Sequence, residues 1–169
     1  DAKRIVRNGT GLGSYGRTLI NDLAPLMPDT NLRLYAPDAG HDDLRNQVEL
    51  RDNVKFCYPD HLRFRLQRDW WRVKGVVKDL KADGVELYHG LSGELPSGLA
   101  AAGIPGVVTI HDLIFLRHPE FYPAIDVFFY KRKFYQTLRE ATRIIAISEC
   151  TKRDILYYGD FPEDKIDLV

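Results

Sequence analysis

The sequence predicts an α/β fold in which a parallel sheet is covered by helices. Three observations predict it. Five short runs rich in β-branched and aromatic residues recur at 32–36, 54–58, 85–89, 107–111 and 144–147. Segments with helical apolar spacing lie between them, which is the alternation that builds parallel sheets from strand–helix–strand units. No internal repeat or low-complexity linker interrupts the pattern, and 169 residues suit one ordinary domain with a real core.

The elements follow in order. The spacing of Leu19, Leu23 and Leu26 predicts a first helix over 13–26 with those leucines inward, and Pro28 stops it. The runs at 32–36 and 54–58 are the next two strands. Leu66, Trp70, Val73, Val77 and Leu80, spaced four, three, four and three apart, form one apolar helical stripe and predict a helix before the strand at 85–89. The strand at 107–111 follows. A second stripe, Val127, Tyr130, Phe134 and Leu138, predicts the helix before the strand at 144–147. Ser148 reads as the N-cap of a last helix ending near Gly159, and 166–169 opens a further strand or a linker.

Composition removes several function classes. With 44% apolar residues, 28% charged residues and a formal net charge of zero, the chain lacks the global basic excess of a dedicated nucleic-acid binder. Cys57 and Cys150 stand in no CxxC or disulfide framework, which suits a reducing compartment and makes the cytoplasm the expected location. The longest uncharged stretch, 95–110, contains two prolines and is too short to span a bilayer. The five histidines form no HxxxH pair and no two aspartates sit two apart, so a metal-free mechanism is expected, with no cofactor. A G-x-S-x-G elbow and a GxxxxGK[ST] loop are also missing, which disfavours serine hydrolases and P-loop enzymes.

Chemistry is expected where parallel strands end, because loops and helix N-termini converge there. The glycines of GLGSYG, Gly11 to Gly16, match the G-x-G-x-x-G dinucleotide spacing, yet Ile5 and Val6 run into the polar loop Arg7–Asn8–Gly9–Thr10 instead of directly into the first glycine. Asp38 stands near the place of a ribose-binding acid, but behind Pro37. His111 ends the run VVTI, and its position favours a ligand contact over a purely structural imidazole. Asp112 reads as a base or ligand anchor, or as a loop Asp bonding its own backbone, and loop position favours the second. His89 reads equally as a cleft residue or a packed one. Ser148 caps its helix, which is compatible with amides there meeting an anion. Seven Lys or Arg against two Asp over 61–81, with two tryptophans, read as a core helix with a solvated basic face or as a surface docking on anionic lipid; Trp71 lies off the stripe. The aromatic residues between 121 and 135 exceed what one buried stripe needs and point to a partner surface or acceptor.

Taken in order, NGTGLGSYGRTLINDL, YHGLSGELP, VVTIHDLIFLRHPEFY, RIIAISECTKRDILYYG and PEDKIDLV resemble the N-terminal domain of a family 4 retaining glycosyltransferase of the GT-B fold, essentially end to end. The resemblance implies one Rossmann-like half, residues 1–169, of a two-domain enzyme: an open, mostly parallel sheet with helices on both faces. It implies metal-independent transfer of a hexosyl or mannosyl group from a nucleotide sugar to a glycan or lipid-linked acceptor, with retention, in polysaccharide biosynthesis. His111 is then the catalytic position beside the transferred sugar. Gly11, Gly13, Tyr15, Arg17, His89, Asp112 and Ser148 are the donor- or acceptor-binding positions. Two departures accompany the match. The family's apolar first strand and its C-terminal donor-nucleotide domain have no counterpart here, so the chain is expected to be a fragment, inactive alone, whose partner is the C-terminal domain of the same enzyme. The location implied is cytoplasmic, peripheral on the inner membrane face if helix 61–81 meets lipid. Two alternatives stand beside this reading: a dinucleotide-dependent oxidoreductase or epimerase built on GLGSYG, and a non-catalytic carbohydrate-binding module.

Overall fold

The computed structural model describes residues 1–60 and 64–169. Every strand pair is parallel and helices lie on both faces, the Rossmann-like α/β arrangement that the alternating runs predict. Two compact units divide the chain, Asp1–Val76 and Val77–Val169.

In the first unit, β1 (Leu32–Tyr35) pairs with β2 (Val54–Cys57), with Leu32 opposite Val54 and Tyr35 opposite Cys57. Three helices accompany them: α1 (Lys3–Arg7), α2 (Gly11–Leu26) and α3 (Asp42–Arg45). The sequence reading contains neither α1 nor α3, each only about one turn long, because so few residues carry no periodic signal. Ile5 and Val6 of α1 are fully buried. The inward face of α2 also differs from expectation. Gly13, Gly16, Arg17, Ile20 and Ala24 are buried, whereas Leu26 is exposed. Small residues at 13, 16 and 24 let the helix backbone approach closely, so the buried side is the small side.

The helix expected from the 66–80 stripe forms, but it is not a regular α-helix. The segment α4 (Arg65–Trp70) passes through a π-helical turn at Trp71–Gly75 into α5 (Val76–Ala82). A π turn takes an extra residue, so the face beyond it is rotated by roughly a quarter turn relative to the face before it. The regular stripe is therefore broken. Leu66, Trp70 and Val73 are exposed, while Trp71, Gly75, Val76 and Leu80 are buried. Gly75 lets the tryptophans fold over the turn: a Cβ there would sit 2.9 Å from the Trp70 ring and 3.2 Å from that of Trp71.

In the second unit, β3 (Tyr88–Gly90), β4 (Gly106–Ile110), β5 (Arg143–Ala146) and β6 (Ile166–Leu168) form one sheet in sequence order. The register sets Gly90 beside Val108, Val108 beside Ile144, and Ile144 beside Ile166. The third strand begins later than the apolar run suggests. Gly84 is left-handed and the Val85 amide donates to the Leu80 carbonyl at 2.9 Å, which keeps residue 85 in the closure of α5. Around the sheet lie α6 (Ile114–Arg117), α7 (Ala124–Glu140) and α8 (Glu149–Gly159). Val127, Phe134 and Thr137 are the buried side of α7. Its last turn anchors the loop before β4: the Glu140 carboxylate accepts from the amides of Gly98 at 2.8 Å and Ala100 at 2.9 Å.

The two adjacent tryptophans test the π turn. Trp71 is 6% exposed and Trp70 60% exposed. Chemical denaturation of Trp71→Ala should show a loss of about 3–5 kcal/mol, while Trp70→Ala should cost less than about 1 kcal/mol. An unbroken α-helix through this region predicts the opposite order.

Candidate functional site

The carboxyl edge of the second sheet is a connected set of polar groups. His89 on β3 bonds through Nε2 to Oγ1 of Thr109 on the neighbouring strand β4, at 2.9 Å, and Thr109 is fully buried. Two residues on, β4 ends and His111 follows. Its Nε2 lies 2.9 Å from the carbonyl oxygen of Leu91, in the loop after β3. A carbonyl only accepts, so Nε2 carries the proton and Nδ1 is the acceptor nitrogen of the neutral ring. The backbone carbonyl of His111 in turn accepts from Thr151 Oγ1 at 3.0 Å. Ser148 completes the set: its Oγ accepts from the Thr151 amide at 3.1 Å, the N-cap bond of α8 expected from sequence. The ends of β3, β4 and β5 are thus joined through His89, His111, Thr151 and Ser148. Thr151 is the member that sequence reasoning missed, and its only signal is its place three residues after an N-cap serine.

Gly90 makes room for this edge. A Cβ at 90 would collide with the carbonyl oxygen of Glu94, because the loop after β3 folds back over the strand end. Asp112 takes the backbone option weighed above, accepting from the amide of Ile114 at 3.2 Å as the opening of α6. Burial pushes the His89 imidazole down to about 4 from its ordinary 6.5. The ring is therefore neutral at pH 7 and works as a hydrogen-bonding group there, not as a proton source.

The glycine motif in the first unit has a different character from its spacing. Gly11 to Gly16 lie inside α2, not in a loop ahead of it. A Cβ at Gly13 would collide with the carbonyl oxygen of Asn8 and lie 2.8 Å from that of Arg4, so this glycine admits the chain's own backbone. Asn8 Oδ1 accepts from the amides of Thr10 at 2.9 Å and Gly13 at 3.2 Å. The buried Arg17 guanidinium donates to the carbonyls of Ile5 and Asn8, both at 2.9 Å, and holds α1 against α2. Tyr15 is half-buried on the same helix. A Cβ at Gly11 meets nothing within 4 Å, and the amides of Gly11 and Leu12 make no hydrogen bond among the described residues. Asp38 is held by Arg7, which donates to it at 2.9 Å, and by Arg68 at 2.8 Å, and it also accepts from the Gly40 amide at 3.0 Å. These partners hold its carboxyl below the ordinary range against the opposing effect of burial. A carboxylate so engaged is not offered to a ribose.

The model of the family described as Glycosyltransferase Family 4 matches residues 11–169. The chain belongs to this family. It is also 26% identical over 168 aligned positions to the O-antigen chain mannosyltransferase B of Escherichia coli, an alignment that covers 93% of the chain and 42% of that relative. The chain therefore spans less than half the length of the curated relative it matches. No solved structure matches it.

The remaining features bear on partners. Among the described residues no three His, Cys, Asp or Glu side chains are grouped so as to hold a metal ion, and no helix is long and apolar enough to cross a membrane. Of the basic segment 61–81, residues 61–63 lie outside the described residues. Three of its arginines are engaged: Arg65 with Asp69 at 3.8 Å, Arg68 with Asp38, and Arg72, 3.9 Å from Asp1.

Two predictions follow from these contacts. Gly13→Ala should cost more than about 3 kcal/mol in denaturation while Gly11→Ala stays within about 0.5 kcal/mol, because only the first meets backbone; equal losses would contradict the packing role. The His89 shift sets a pH dependence. Between pH 4 and 6.5 the unfolded imidazole holds a proton that the folded one does not, so stability is full above 6.5 and falls as pH drops through this window. The contribution should have a slope of up to about 1.4 kcal/mol per pH unit. His89→Gln should flatten that part of the stability profile, and an unchanged profile would show that His89 titrates normally.

Proposed function

We propose that the chain is the acceptor-side half of a retaining glycosyltransferase that moves a mannosyl group from a nucleotide sugar to a glycan or lipid-linked acceptor without a metal ion. The observation that carries the reading is His111: an imidazole at the carboxyl end of the central strand β4, with one nitrogen tied to the Leu91 carbonyl. Fixing Nε2 orients the ring at the strand end, where the imidazole would meet a hydroxyl of the transferred sugar. Ser148 and the start of α8 supply a polar rim, with His89 beside them as a neutral, half-buried support. We also assign the amides of Gly11 and Leu12 to an anionic group, since they make no hydrogen bond among the described residues and open a 16-residue helix. Mannose is favoured as the transferred sugar by the similarity to the Escherichia coli mannosyltransferase. The second domain that would grip the nucleotide is expected to be a further part of the same enzyme, and activity is expected to require both.

The test is sugar transfer by the intact enzyme with a panel of nucleotide sugars. Nucleotide-activated mannose should be the preferred donor, and His111→Ala should lower kcat about a hundredfold with the fold intact by circular dichroism. Wild-type rates in His111→Ala would remove His111 from the reaction. Preference for another sugar would overturn the mannosyl assignment, and transfer with inversion would overturn retention.

A further inference from the structure

The outward side of α7 carries an apolar stripe that its inward packing does not explain. Val127, Phe134 and Thr137 face the core, whereas Ile125, Phe128, Phe129 and Arg132, at i, i+3, i+4 and i+7, share the opposite side. Their exposure is large for such side chains: 61% for Ile125, 58% for Phe128 and 49% for Phe129. Phe121, in the turn just before the helix, is 70% exposed. A run of protruding aromatics on two successive turns is a surface made to be covered.

The charges on the same helix say by what. Lys131, Arg132 and Arg139 make no ion pair among the described residues and lie on or beside the exposed face, one to three turns beyond the aromatics. The other ionic groups nearby are engaged elsewhere: Lys133 with Glu94 at 3.0 Å, Glu120 with His118 at 3.0 Å, and Glu140 with the Gly98 and Ala100 amides. Asp126, half-buried in the first turn, is the remaining acid of the helix. The arrangement is an apolar wedge followed by cations on long stems. It suits a surface that is hydrocarbon beneath and anionic above, because Phe and Ile enter the acyl boundary while Lys and Arg extend to the phosphates. A contact between two copies of this face would join two surfaces that carry the same unpaired cations and only Asp126 as a nearby acid, which disfavours that occupant. The basic segment 61–81 is less suited to lipid, since Arg68 and Arg72 are already engaged with carboxylates.

We propose that α7 and the turn before it form a membrane-docking surface: Phe121, Ile125, Phe128 and Phe129 insert into a bilayer rich in anionic lipid while Lys131, Arg132 and Arg139 pair with its phosphates. The inference does not depend on the sugar-transfer reading.

Co-sedimentation of the intact protein with phosphatidylcholine vesicles, with and without phosphatidylglycerol, tests it. The wild type should bind the mixed vesicles and bind phosphatidylcholine alone much more weakly. Phe128→Ser with Phe129→Ser, and separately Lys131→Glu with Arg132→Glu, should each lower the partition coefficient at least about tenfold. Arg65→Glu, on the other basic segment, should leave it within about twofold. All these positions are exposed, so unchanged circular dichroism is expected and is the check that binding, not folding, was altered. Equal binding by wild type and both double variants would overturn the proposal. So would self-association in sedimentation without lipid that the Phe128→Ser, Phe129→Ser variant abolishes. Because transfer to a water-soluble acceptor does not require lipid, loss of vesicle binding with that transfer intact would separate this surface from the active site.

Discussion

Parallel pairing of β4 on both edges is the constraint from which the site in the second unit is built. Gly106–Ile110 is bonded to β3 on one side and β5 on the other, and Val108 and Thr109 are completely buried. A strand satisfied on both edges and buried on both faces has no freedom of register, since a one-residue slip would turn every side chain to the opposite face. The residues that follow it are therefore delivered to a fixed place. His111 inherits its position from this pairing and its ring orientation from the Leu91 carbonyl. Its own carbonyl then receives Thr151, which ties the start of α8 to the end of β4.

The two units illustrate opposite uses of glycine. In the second, Gly90 and Gly106 allow loops and helix ends to close on the sheet: a Cβ at 106 would lie 2.8 Å from Leu99 and 2.9 Å from the Glu140 carbonyl oxygen. In the first, Gly13 admits the Asn8 carbonyl while Gly11 faces open space. The motif GLGSYG combines a packing glycine with an exposed one, and at Gly13 its match to a dinucleotide spacing reflects approach by the protein's own backbone. Close approach by the protein's own carbonyl and close approach by a phosphate require the same residue, so spacing alone does not separate them.

The strand–helix alternation was legible because each strand is a compact apolar run and each long helix spans several turns. Ser148 as an N-cap and Asp112 as a backbone-bonding loop residue were legible from local chemistry alone. The face of the helix through residue 71 was not. Leu66, Trp70 and Val73 keep perfect helical spacing, and only the π turn, which no periodicity announces, turns them outward and brings Trp71 in. The face of α2 is hidden in the sequence for a related reason, since its large leucines carry the stronger apolar signal while its small residues allow the close packing. Of the site, His111, His89 and Ser148 could be nominated from their strand-end places, but Thr151 and the Leu91 carbonyl could not. Those links are non-local, and nothing in the chain marks their partners.

The edge that joins His89, His111 and Ser148 is also the part of the molecule on which the family's chemistry depends in this account. Side-chain nitrogen NMR of His89 and His111 during titration of the intact enzyme with a nucleotide sugar and acceptor reads it directly. The account predicts a shift of the His111 ring nitrogens on ligand binding, with Nε2 staying protonated and His89 staying neutral. A ligand that binds and leaves both His111 nitrogens unmoved would contradict it.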